Sequence, residues 1–127
     1  MKEFQKAQEL LEEVIRQDQS SFQAYNYLGL IYSDRGQTDK ALNAFEKAVA
    51  IQDDLEAYQM LGYLYTRQSL PKEAAQALEK AIQMDPNHAL THLYLANAYM
   101  LLGERSLGEK AYRRALELDP SLRDKLP

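Results

Sequence analysis

The sequence contains no cysteine, which removes a disulfide framework, a thiolate metal site and a cysteine nucleophile together. That absence fits a reducing compartment. It also lacks any long apolar run. The opening MKEFQKAQELLEEVIRQ carries a charge every few residues, so it suits neither the core of a signal peptide nor a membrane span. The expectation is a cytoplasmic protein with no direct membrane insertion. Positive charge is not in excess either: 15 Lys and Arg against 19 Asp and Glu leave a net charge of −4, which argues against nucleic acid as a partner. With four prolines, five glycines and no Pro- or Ser-rich stretch, no linker divides the 127 residues, so a single domain over 1–127 is expected.

Catalytic signatures are missing as well. There is no Gly-rich phosphate loop, no P-loop and no Ser/His/Asp arrangement. His88 and His92 stand four apart in HALTH, a spacing that could put two imidazoles on one helix face, but Ala89 follows His88 where zinc hydrolases need a glutamate. Acid pairs such as Glu12/Glu13 and Asp53/Asp54 are adjacent in sequence and so point in different directions on a helix or loop, which suits a solvated surface better than acid/base work. Lys110, Arg113 and Arg114 are interleaved with Glu109 and Glu117, the pattern of a charge-laced helix surface. These observations predict no enzyme, no catalytic residue, no metal and no cofactor.

What is present is repetition. YLGLIYSDRG at 27–36, MLGYLYTRQS at 60–69 and YLANAYMLLG at 94–103 are variants of one phrase. Gly29 and Gly62 lie 33 residues apart, Gly62 and Ala96 34 apart. Apolar and small residues recur at three- and four-residue spacing, the stripe of a packed helix, and no stretch alternates with period two. The chain is therefore expected to be all helix. Gly36 and Gly103 suit left-handed caps, Pro71 suits a first turn, and DPN and DPS at 85–87 and 119–121 end helices. Thr38 and the Ser20-to-Gln23 spacing mark starts. The outcome is seven helices, roughly at 3–17, 22–35, 38–51, 55–68, 71–84, 89–102 and 105–118. A period of this size made of two helices predicts an α-solenoid, in which each pair, A then B, buries its apolar face by stacking on the next.

At this point the sequence resembles the tetratricopeptide repeat (TPR) family. The first full repeat, 22–54, carries the tile Tyr25, Leu28, Gly29, Tyr32, Ala41, Phe45, Ala48. The second, 55–88, carries Tyr58, Leu61, Gly62, Tyr65, Ala74, Leu78, Ala81, Pro86. The third, 89–122, has His92, Leu95, Ala96, Tyr99, Gly108, Tyr112, Ala115, Pro120. Residues 1–21 look like a lone B helix, and 123–127 are a tail. Departures are Asp53 in place of proline, one residue missing near Asp54, and His92 in an aromatic slot. The resemblance implies a right-handed superhelix whose A helices line a concave groove, and a role in binding other proteins.

The stripes are core, so function is sought elsewhere. At 100° per residue the A-helix positions about 80–180° from the stripe are Gln23, Asn26, Leu30, Ser33 and Asp34; Glu56, Gln59, Tyr63, Thr66 and Arg67; Leu90, Leu93, Asn97, Met100 and Leu101, with Tyr27, Met60 and Tyr94 at the border. The expected partner site is Asn26, Tyr27, Leu30, Gln59, Met60, Tyr63, Arg67, Leu93, Tyr94, Asn97, Met100 and Leu101. Apolar anchors among amides suit an extended peptide or a helix of a partner protein. The competing reading lets Leu122 and Leu126 fold back over Met100 and Leu101. Some TPR proteins grip acidic chaperone tails with a Lys/Asn/Arg clamp. The matching positions Asn26, Leu30, Met60, Leu90 and Tyr94 hold no lysine or arginine, which argues against that subclass.

The two ends differ. Glu109 stands where earlier repeats have Leu42 and Ala75, and with Arg113 and Glu117 makes a polar end cap, favouring a chain end near Pro127. The first helix lacks an A partner, so Phe4, Ala7, Leu11 and Val14 are expected to face water. Beside the adaptor reading this keeps two alternatives: a regulatory TPR module cut from a larger enzyme or multidomain protein, or a scaffold that self-associates as a homodimer through this helix.

Overall fold

A computed structural model describes residues 2–125, with side chains from 3 to 124. Seven α-helices and no strand occur among the described residues: α1 Lys2–Gln17, α2 Phe22–Asp34, α3 Thr38–Ile51, α4 Leu55–Arg67, α5 Pro71–Met84, α6 Ala89–Leu101 and α7 Arg105–Leu118. Each end lies within one residue of its expected position. A 3₁₀ helix, Pro120–Lys125, follows where the sequence predicts a tail. The chain divides into two compact units, Met1–Ala57 and Tyr58–Pro127, with the division inside α4.

The turns repeat one device. Gly36 at φ +75° donates to Ser33 O and Gln37 to Tyr32 O, closing the end of α2 with a left-handed residue. Gly103 at φ +81° does the same for α6, with Glu104 donating to Tyr99 O. After α4 the position is held by Ser69 at φ +60°, and Leu70 donates to Tyr65 O. A side chain in the left-handed region costs roughly 1–2 kcal/mol, part of which glycine returns by loosening the unfolded chain. Ser69→Gly is therefore expected to stabilise the protein by about 0.5–1 kcal/mol, seen as a higher urea midpoint at constant m. An unchanged or lowered midpoint would contradict it.

Two starts differ from expectation. The cap of α2 is Ser21, whose Oγ accepts from Ala24 N at 3.3 Å, while Ser20 donates through its own N–H and Oγ to Asp18. The Asp18 carboxylate recruits Ser20 into a turn and keeps its pKa low. Gln37, not Thr38, caps α3, and it makes no side-chain capping bond. Pro71 sits in the first turn of α5 as expected.

In the first unit α2 packs between α1 and α3. Ala41, Phe45 and Ala48 on α3 are fully buried, and Gly29 on α2 faces the Phe45 ring so closely that a Cβ there would lie 2.7 Å from Cζ. In the second unit Ala74, Ala75, Leu78, Leu95 and Ala98 form one cluster, flanked by Tyr65, Ile82, Tyr94 and Tyr99. A Cβ at Gly62 would meet Leu78 Cγ and Cδ2 at 2.4 Å. The third helix pair reverses the arrangement: the glycine is Gly108 on the B helix, where a Cβ would meet Met100 Sδ at 2.8 Å and Ala96 O at 3.3 Å. A second cluster joins Leu93, Ala115 and Leu122, so the 3₁₀ helix closes the end of this unit.

Candidate functional site

On the second unit, Gln59, Tyr63 and Arg67 recur at four-residue spacing and therefore share one face of α4. Arg67 donates to Tyr63 Oη at 3.1 Å, and its guanidinium carbon lies 5.7 Å from the ring centroid, so the cation covers the aromatic face. Tyr63 in turn meets Tyr94 of α6, centroids 5.7 Å apart and planes tilted by 41°. Burial first, and the neighbouring Tyr63 second, push the Tyr94 phenol above its ordinary pKa. At the other end of the strip Gln59 Nε2 donates to Thr91 Oγ1 at 2.7 Å and lies 2.9 Å from His88 Nδ1. The strip thus runs from an amide network, across two phenol rings in tilted contact, to a guanidinium. Such a surface offers apolar area beside polar atoms suited to a main chain.

The remaining expected positions are less uniform. Met60 and Asn97 are half-buried, and Met100 and Leu101 are exposed. Leu93 does not stand on this surface: it is 5% exposed, packed with Ala115 under Leu122. The backfolding tail therefore covers Leu93 and leaves Leu101 57% exposed; Leu126 lies outside the described residues. On the first unit Tyr27 is exposed and Leu30 half-buried. Asn26 Nδ2 donates to Asp54 Oδ2 at 3.1 Å, and the same oxygen accepts from Ala57 N at 3.0 Å, capping α4. The amide donor of Asn26 is thereby committed inside the unit, while its Oδ1 is buried with no partner among the described residues.

The two histidines have separate duties. His92 is buried with Nε2 2.8 Å from Pro86 O, whereas His88 belongs to the Gln59 network. Among the described residues no three acidic, histidine or cysteine side chains gather as a metal site, and no helix is long and apolar enough to cross a membrane. On α1, Phe4 and Val14 are exposed as expected, but Ala7 and Leu11 are half-buried. Leu10, outside that stripe, is 69% exposed.

A family model described as Tetratricopeptide repeat matches residues 20–87, and a second of the same description matches 65–123. No curated protein matches the sequence. Among solved structures, that of YrrB, a TPR protein with an unusual peptide-binding site, superposes with a TM-score of 0.91 at 22% identity, covering 97% of this chain and 64% of that one. The crystal structure of MamA protein gives 0.84 at 26% identity, covering 95% and 67%. MamA 41-end from Desulfovibrio magneticus RS-1 gives 0.86 at 22%, covering 92% and 67%. The chain thus spans about two thirds of these solved chains. Its fold class is the all-α solenoid of TPR proteins. With family models matching more than half of its length, the chain belongs to the tetratricopeptide repeat family.

Proposed function

We propose that the protein is a non-catalytic adaptor that binds a peptide or helix of a partner protein on its A-helix surfaces. The observation that carries this is the Arg67, Tyr63 and Tyr94 strip, where two phenol rings and a guanidinium present anchoring area and donors side by side. Exposed Met100 and Leu101, and half-buried Met60 and Asn97, extend the same chemistry on the second unit; on the first, Tyr27 and Leu30 offer apolar area, while the Asn26 amide is held by Asp54. YrrB, a similar fold, carries a peptide-binding site, which supports the class of ligand.

The test is selection of peptides from a displayed random library, followed by affinity measurement against Tyr94→Ala and Tyr63→Glu variants shown to be folded by circular dichroism. Loss of an aromatic anchor is expected to weaken a selected peptide at least about tenfold. Peptides that bind both variants like the parent would remove the strip from the site. The exposed Phe4, Leu10 and Val14 of α1 favour a second reading, self-association, and a scattering mass that stays monomeric at high concentration would exclude it.

A further inference from the structure

The opposite side of the second unit carries a trough of about 760 Å³ between α5 and α7, floored by α6. That volume is in the range of ligand sites, about 300–1,000 Å³. Its apolar lining is Ile82, Leu95, Leu107 and Ala111. From Ser106 to Glu117 the α7 wall runs roughly 16 Å at 1.5 Å per residue, the reach of about five extended residues.

The charges along the trough are unequally committed. Glu79 accepts the Tyr99 hydroxyl at 2.7 Å, and burial, then this bond, push the Tyr99 phenol up to about 12. Glu117 pairs with Arg114 at 3.2 Å, and Arg114 also donates to Asn87 Oδ1. Lys110 and Arg113 line the same trough and have no hydrogen bond or ion pair among the described residues. Two uncommitted cations therefore overlook an apolar floor whose carboxylates are already engaged.

The first unit supplies an internal comparison. At the same tile positions its groove is about 460 Å³, and Lys40 and Lys47 lie over the rings of Tyr32 and Tyr25, each at 5.8 Å. There the cations are spent on the protein's own aromatics. In the second unit the corresponding rings are His92, bound to Pro86 O, and Tyr99, bound to Glu79, and among the described residues no cation covers either.

We propose that the trough holds a short acidic segment of a partner protein in extended form, with carboxylates on Lys110 and Arg113 and one apolar side chain against Leu95, Ile82 and Ala111. Charge complementarity selects this occupant, and the length of the wall favours a chain over a compact anion. The site is separate from the A-helix strip and stands or falls without it.

An array of acidic pentapeptides, each with Leu, Ile, Phe or Val at its centre, is titrated by fluorescence polarisation against the intact protein. At least one sequence is expected to bind, and Lys110→Glu with Arg113→Glu to weaken it about tenfold or more. Lys40→Glu with Lys47→Glu, the same charge change in the first unit's groove, is expected to leave it within about twofold. An array with no binder overturns the proposal. So does equal weakening by both double variants, which would signal net charge alone, or equally tight competition by citrate, which would signal a small-anion site.

Discussion

Replacing Phe45 by alanine is expected to destabilise the protein by about 3–5 kcal/mol, the usual cost of emptying a fully buried aromatic site. Phe45 is fully buried, and its ring fills the space left by the missing Cβ of Gly29. The neighbouring Ala41 and Ala48 have no side chain able to move in. The mechanism is separable by a double-mutant cycle. Gly29→Ala alone forces its methyl to 2.7 Å from Phe45 Cζ and should destabilise. In the Phe45→Ala background that methyl enters the cavity, so the two penalties should sum to more than the double variant shows. Urea denaturation of the four proteins measures this, and strict additivity would refute the contact.

Gly62→Ala is the second large effect, and local propensity points the other way. In an exposed helix alanine would gain about 0.5–1 kcal/mol over glycine. Here the added methyl would sit 2.4 Å from both Cγ and Cδ2 of a fully buried Leu78. Cγ is the branch point of the side chain, so no rotation of a free end relieves the clash, and overpacking costs about 1–3 kcal/mol or more. We expect a net loss of about 2 kcal/mol. A variant as stable as the parent would show that α4 and α5 can separate at little cost. Leu78→Ala should cost less in the Gly62→Ala background than in the parent, because the added methyl occupies part of the cavity.

The helices were legible because the sequence repeats its own answer. Leu28/Gly29, Leu61/Gly62 and Leu95/Ala96 mark the same crossing three times, so an ambiguous boundary in one repeat is fixed by its neighbours. Caps were less legible: Ser20 and Ser21 are adjacent and chemically identical, and only the competing Asp18 carboxylate decides between them. Of the candidate site, helical projection placed Tyr63 and Arg67 on one face and Tyr94 on the border of the next, and these three meet. Projection failed for Leu93, because its cover comes from Leu122 in a 3₁₀ helix whose position no helical period encodes. Asn26 and Gln59 look available in sequence, yet their amide donors serve Asp54 and Thr91. The α5/α7 trough has no sequence signal of its own, since it depends on which charged side chains find partners in space.

The glycine that changes helix between pairs bears on how such a chain can evolve. In the first two full repeats the side-chain-free crossing site is on the A helix, Gly29 or Gly62, and in the third it is Gly108 on the B helix. Duplicated segments of similar sequence invite recombination between misaligned copies. A crossover falling between A and B of different repeats would join Ala96 to an alanine-bearing B helix, or Gly62 to the Gly108 helix. The gaps at Gly29 and Gly62 are filled by Phe45 and Leu78 of the following B helix, whereas the gap at Gly108 is filled by Met100 of the preceding A helix, so neither product keeps a glycine with the side chain that fills its gap. Exchanges that preserve whole pairs keep each glycine with the side chain that fills its gap, so viable shuffling should be confined to the turns between B and A helices, near 52–54 and 85–88.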